Sequence, residues 1–133
     1  MKKLNKTLAQ KITNNKVKWA KEIQEYQYEK SPELKERFNN KQDENFLKDI
    51  KYHLTYLSEA ISLNSLALFE NYINWTKVLF ENINIPLKWL KDNLKYIEDV
   101  LEKKLGNEEL DLLKSFVNSA VKIINKEKEN PVS

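Results

Sequence analysis

The chain carries few side chains of the kinds that do chemistry. It has one histidine, His53, one arginine, Arg37, one glycine, Gly106, and no cysteine. His53 follows Asp49 by four residues, so a helix through both sets them on one face, with Tyr52 and Tyr56 flanking it. An imidazole beside a carboxylate, framed by phenols, suits a ligand contact. It could be an axial ligand to a haem iron or a hydrogen-bond donor to a pocketed cofactor. The plainer alternative is a partly buried histidine bonded to a neighbour on its own helix. Tyr72, Trp75 and Trp89 are the remaining aromatic candidates. They would form either the wall of a flat, conjugated ligand or ordinary core packing.

Much chemistry is excluded outright. Without cysteine there are no disulfides, thiolate metal sites, catalytic thiols or thioether-attached cofactors. A single glycine leaves no phosphate-cradling loop and no nucleophile elbow. A carboxylate di-metal centre in a helical bundle draws Glu-x-x-His from two helices, and only one histidine exists. No spacing recommends a carboxylate acid–base pair, so the expectation is a binding module and not an enzyme. The net charge of +3 and the solitary arginine argue against nucleic acid. Residues 1–21 hold Lys2, Lys3, Lys6, Lys11, Lys16, Lys18 and Lys21 and no acid. A solvated helix face explains this more simply than a membrane or acidic-partner patch. No apolar run approaches the ~20 residues that span a bilayer. The basic N-terminus lacks the apolar stretch of a secretory signal, which points to the cytoplasm.

The elements that must position these residues are helices. At 133 residues the chain has the size of one domain, and so few breakers favour long helices. Leu8, Ile12, Trp19, Ile23 and Tyr26 mark one face of a helix over about 4–29. Ser31-Pro32 reads as a cap with proline at the first helical position, opening a short helix with Leu34 and Phe38 that Asn39-Asn40 ends. A helix over about 43–62 shows Phe46, Ile50, Leu54, Leu57 and Ile61. Asn64-Ser65 breaks it and caps the next, about 65–83, where Phe69, Ile73, Thr76 and Phe80 share one face and Leu68, Tyr72, Trp75 and Leu79 the adjoining one. After Ile85-Pro86 come Leu87, Leu90, Leu94, Ile97 and Leu101, with Gly106 suited to a left-handed C-terminal turn. Leu110, Leu113, Val117, Ala120 and Ile124 define a last helix over about 107–126, and residues 127–133 are expected to fray. The expectation is one compact all-α domain of about six helices over residues 1–133, either a regular bundle or a globin-like crossing of helices.

Two stretches resemble a known family. Phe46-Leu47-Lys48-Asp49-Ile50-Lys51-Tyr52-His53-Leu54-Thr55-Tyr56-Leu57 is similar to the C-x-R-D-x-x-Y-x-L-R stretch of phycobiliproteins, the bilin-carrying globin relatives of light-harvesting antennae. Ile85-Pro86-Leu87-Lys88-Trp89 through Leu94-Lys95-Tyr96-Ile97 resembles their S-x-W-x-x-x-A-L-x-Y-I run. The resemblance covers about residues 44–100. It is closer still to photoglobins, the bacterial sensor globins that usually accompany cobalamin-binding light-sensor domains. Their D-x-x-x-H-x-x-x-L and F-x-x-Y-x-x-W patterns correspond to Asp49…His53 and to Phe69-Glu70-Asn71-Tyr72-Ile73-Asn74-Trp75.

The resemblance implies a globin-like fold and a linear tetrapyrrole, such as biliverdin, as ligand. Asp49 would accept the central pyrrole N–H groups and favour a protonated chromophore. Lys48 stands where the family has an arginine that meets a propionate, and a lysine does this as a point charge. Tyr52 matches the motif tyrosine, and His53 the sensor type. Phe46 takes the place of the chromophore-bearing cysteine, so the bilin would be held without a covalent bond. Tyr52, Tyr56, Tyr72, Trp75 and Trp89 would wall the pocket. The assembly hairpin of the antenna proteins has no counterpart, and any cobalamin-binding or signalling partner would be a separate polypeptide. Haem ligated by His53 and a ligand-free helical interaction module remain the alternatives. The last would fill the pocket with Trp75 and Trp89. A second face on the first helix, with Leu4, Val17 and Tyr28, is suited to a homodimer.

Overall fold

The computed structural model describes residues 2–126, so the expected tail at 127–133 lies outside the described residues. Six helices follow one another: α1 (Lys2–Lys30), α2 (Pro32–Arg37), α3 (Asn40–Ser62), α4 (Leu66–Asn82), α5 (Leu87–Glu102) and α6 (Asn107–Asn125). There is no strand among the described residues. None of these helices is long and apolar enough to cross a membrane.

α1 runs uninterrupted because neither glycine nor proline falls within it. It stops where Ser31 precedes Pro32, since a residue before proline is pushed out of the helical region. Ser31 is the N-cap of α2, although its side chain makes no capping bond, and Pro32 opens the helix. Asn39 starts α3 with a capping box: Gln42 N donates to Asn39 Oδ1 and Asn39 N donates to Gln42 Oε1, both at 2.9 Å.

The turns after α3 and α4 share one design. Ser65 N reaches back to Ala60 O and Asn64 N to Ile61 O, while Ile85 N reaches Phe80 O and Asn84 N reaches Glu81 O. Both are helix-ending motifs that need a left-handed residue. Asn64 (φ 50°) and Asn84 (φ 59°) supply it. Gly106 does not take the left-handed role expected of it. It precedes α6 in extended backbone (φ −74°, ψ 171°) as the N-cap residue, and Lys103 ends α5 in a right-handed conformation.

α1 and α3 form the most extensive helix pair, and they run antiparallel. Asn5 Nδ2 donates to Ile61 O (2.8 Å) at one end, and Gln24 Nε2 donates to Asp43 O (2.9 Å) at the other. α5 packs on α1, and α6 on α4 and α5. One apolar cluster joins them, including Ile12 and Ile23 of α1, Leu54 and Leu57 of α3, Ile73 of α4, Leu94 and Ile97 of α5 and Val117 of α6. Lys77 is buried, and its ammonium donates to Ile123 O (3.2 Å) and Lys126 O (2.6 Å). A cation at the last carbonyls of α6 satisfies groups the helix leaves unpaired and complements its dipole. On α1, Val17 is exposed, and the partly buried Tyr28 bonds Asp43 and packs on Phe46.

Leu94 is fully buried in the cluster. Leu94→Ala is expected to cost about 2–5 kcal/mol, read as a lower urea midpoint with unchanged slope. Ser65→Ala, which removes the bond from Leu68 N (3.1 Å), should cost about 1 kcal/mol. A Leu94→Ala midpoint equal to that of the parent chain would mean that α5 does not pack on the core by this face.

Candidate ligand-binding cavity

α3 faces two ways. Ile50, Leu54, Leu57 and Ile61 are fully buried against the core. The neighbouring stripe, Phe46, Asp49 and His53, lines a cavity of about 560 Å³, a volume within the ~300–1,000 Å³ of small-molecule sites. Its lining comes from the last turns of α1, the short α2, the first half of α3, the end of α4 with the turn after it, and the first half of α5.

Trp89 of α5 is in the wall, and Phe38 lies edge-on to it (5.8 Å between centroids, 65°) and to Phe46 (5.8 Å, 78°). Arg37, exposed at the end of α2, stands over the Trp89 ring at 5.6 Å. It makes no ion pair with a carboxylate among the described residues. Deeper in, Asn93 Nδ2 donates to Gln27 Oε1 at 2.7 Å, and both residues are buried.

Asp49 is half-buried in this wall and has no ion-pair partner among the described residues. Loss of solvent lifts its carboxyl above the ordinary carboxylate value, and the charge of Lys48 offsets part of that. His53 is 4% exposed. Desolvation lowers its pKa to about 4, so the imidazole is neutral at pH 7. Its Nδ1 lies 2.7 Å from the Tyr72 hydroxyl. The bond therefore crosses to α4, and the expected bond to a neighbour on its own helix is not made. Burial raises the Tyr72 phenol, so it stays protonated as the histidine's partner.

Of the nine residues singled out from the sequence, Phe46, Asp49, His53 and Trp89 meet at the cavity, and Tyr72 stands behind His53. Lys48, Tyr52, Tyr56 and Trp75 are not part of its wall. Lys48 Nζ lies over the Tyr52 ring at 6.0 Å. Tyr56 stacks on Tyr72 (4.1 Å, 10°). Trp75 is 63% exposed, at the outer end of that aromatic stack. Trp75 and Trp89 thus do not fill the pocket together. Gln27, Arg37, Phe38 and Asn93 are cavity residues the sequence reading did not single out. Gln27 falls four residues after Ile23, and Asn93 sits next to Leu94. A polar residue on or beside an apolar stripe was the available signal.

Six helices, five of which line an aromatic-walled cavity, make a helical, globin-like domain. The chain belongs to the phycobilisome protein family, whose model matches residues 2–124 and so reaches from α1 into α6. Membership makes this a globin-like domain of a bilin-binding family. No curated protein matches the chain.

The buried histidine links the cavity to stability. Its folded-state pKa (about 4) lies below the ordinary 6.5. The unfolded chain therefore takes up the proton first as pH falls. Stability from this group is complete above pH 6.5 and declines towards pH 4, by roughly 1.4 kcal/mol per pH unit and about 3 kcal/mol in all. Asp49, with its raised pKa, acts in the opposite sense. Urea midpoints at pH 7.5, 5.5 and 4.5 should fall more steeply for the parent chain than for His53→Gln. Equal slopes would show that His53 is not held neutral.

Proposed function

We propose that the cavity binds a linear tetrapyrrole such as biliverdin without a covalent bond, and that the domain is a sensor of the photoglobin type. The observation that carries this is Asp49: a half-buried carboxylate without an ion-pair partner among the described residues, set in an aromatic-walled cavity. Such a group calls for a flat ligand that brings N–H donors or positive charge to it. A bilin's central pyrroles do both. A chain without cysteine cannot form a thioether to the pigment, so packing and hydrogen bonds must hold it.

His53 would act as a neutral partner to the pigment, with Tyr72 fixing the imidazole through Nδ1. Phe46 and Trp89 would flank the conjugated system. Arg37 is the cation on the cavity wall, and we assign it, in place of Lys48, to a propionate of the pigment. Light absorption or a change in pyrrole protonation would shift the helices around the ligand. A signalling or cobalamin-binding partner in the cytoplasm would read that shift, because a bound-state difference acts only through differential contacts. The role is binding and not catalysis. Lys48, Tyr52, Tyr56 and Trp75 belong to this reading only if the ligand extends past the cavity wall.

One observation favours haem as a second reading. A neutral histidine at the cavity, with Nδ1 held by the Tyr72 hydroxyl, keeps Nε2 as a nitrogen that could ligate a metal, and a partner on the other ring nitrogen is a common feature of metal-ligating imidazoles. The tests separate the two. Biliverdin added to the purified protein should give a sharpened, red-shifted band that saturates at one equivalent, and haemin in a parallel cuvette should not match it. Asp49→Ala should weaken the bilin complex or shift its band. Arg37→Leu should weaken it about tenfold, as expected for losing one charge-assisted contact, and Lys48→Leu should do less. A Soret band that appears only in the parent chain and is lost in His53→Ala would transfer the site to haem. No change with either pigment would favour the ligand-free interaction module.

A further inference from the structure

α4 carries an outward face that the rest of the chain leaves uncovered. From Asn71 to Leu79 its exposed residues are Asn71, Asn74, Trp75, Val78 and Leu79, and none is charged. The one charged residue of that span, Lys77, is turned inward to the last carbonyls of α6. With 32% of the chain charged, an exposed helix face this long without a charge is a departure from the rest of the surface. Tyr52 and Tyr56, both exposed, extend the face onto α3. Tyr56 stacks on Tyr72 and Tyr72 on Trp75, so the aromatic surface is continuous across the two helices. Ile83 prolongs it beyond the end of α4. The exposed parts of Tyr52, Tyr56, Trp75, Val78, Leu79 and Ile83 come to roughly 500–600 Å², the upper end of what a monomeric protein leaves bare.

We infer that this face is an interface with a second copy of the chain, paired about a two-fold axis that runs along α4. The charge pattern identifies the occupant. An isologous interface sets a patch against itself, so a charge at its centre would meet its own copy. A face that excludes charge from its centre is what self-pairing requires. Its polar members, Asn71 and Asn74, are amides, which both donate and accept and so can bond to their own kind. The rim carries charges of opposite sign on its two sides. Lys48, over the Tyr52 ring, marks the α3 side. Glu81 is exposed half a turn around α4 from Tyr72 and marks the other. A two-fold along α4 brings Lys48 of each copy towards Glu81 of its mate, whereas one across α4 would oppose like charges. With the two asparagines included, the face approaches the ~800 Å² that each partner gives to a standard interface. Trp75 is its centre, and a tryptophan is among the residues that contribute most when such a face closes. The inference does not depend on which ligand the cavity takes. The face does back onto the cavity, because Tyr72 lies between Trp75 and His53.

The test is sedimentation velocity on the full chain from micromolar to millimolar concentration, without added pigment. The parent should pass from one chain mass to twice that mass. Trp19 is buried and Trp89 half-buried, so Trp75 is the tryptophan in solvent, and its emission should move to the blue over the same range. Trp75→Glu and Trp75→Lys should each weaken pairing about thirtyfold or more. Their far-ultraviolet circular dichroism should match that of the parent, because the side chain lies outside the core. Mixing the two variants should restore the double mass, since the opposed charges then attract. Val17→Glu, on the exposed face of α1, should pair as the parent does. A parent chain that stays at one mass at millimolar concentration would overturn the inference and leave the face to a different protein. So would a dimer that survives Trp75→Glu, or one lost in Val17→Glu instead, because either places the contact elsewhere. A mixture of the two Trp75 variants that stays monomeric would overturn the two-fold pairing of this face.

Discussion

The antiparallel contact between α1 and α3 is the constraint on which the site depends. Asn5 and Gln24 hold the pair at its two ends by bonding to backbone carbonyls, so α3 can neither slide nor roll. With its rotation fixed, the stripe through Ile50, Leu54, Leu57 and Ile61 goes to the core, and the stripe through Phe46, Asp49 and His53 goes to the cavity. A helix advances about 100° per residue, so a roll of one residue would carry the cavity stripe onto the core and the core stripe off it. The position of the carboxylate is thus set by apolar packing on the far side of the same helix.

A second consequence is that two polar pairs at the cavity are held by bonds crossing between elements. Tyr72 reaches His53 from α4, and Gln27 reaches Asn93 from α1. Polar side chains buried this way are costly when unpaired and rigid when paired. The aromatic groups at the mouth are arranged similarly, with Phe38 edge-on to both Phe46 and Trp89. Four helices and the short α2 therefore contribute to one surface, although no two adjoining segments of sequence suffice to build it.

The helices were legible because their apolar residues recur with helical spacing. Leu8, Ile12, Trp19 and Ile23 are all buried, as are Leu90, Leu94, Ile97 and Leu101. Helix ends were less so. The sequence suggests Asn39 as the end of α2, whereas it caps α3, and suits Gly106 to a left-handed turn, whereas Lys103 already closes α5. The motif around Asp49 and His53 located half of the cavity because both residues lie on one helix. The other half comes from residues distant in sequence, such as Gln27 and Asn93, whose meeting depends on how α1 and α5 cross. Tyr52, Tyr56 and Trp75 lie outside the cavity wall for a related reason. Periodicity gives a residue's angle around its own helix, but not which neighbour, if any, covers that angle. Trp75 shares a helix with buried Ile73 and Thr76 and still faces outward.

The two left-handed asparagines affect the unfolded chain as much as the folded one. A left-handed residue with a side chain costs about 1–2 kcal/mol of local strain, less for asparagine, which tolerates this region better than most. Glycine would remove that strain, but it would also give the unfolded chain more conformations to lose. With Asn64 and Asn84 at its tight turns and a single glycine in 133 residues, this chain bears the penalty as native strain. Its denatured ensemble is correspondingly narrower, so the conformational entropy opposing folding is smaller, residue for residue, than in a chain of this length that turns on glycine.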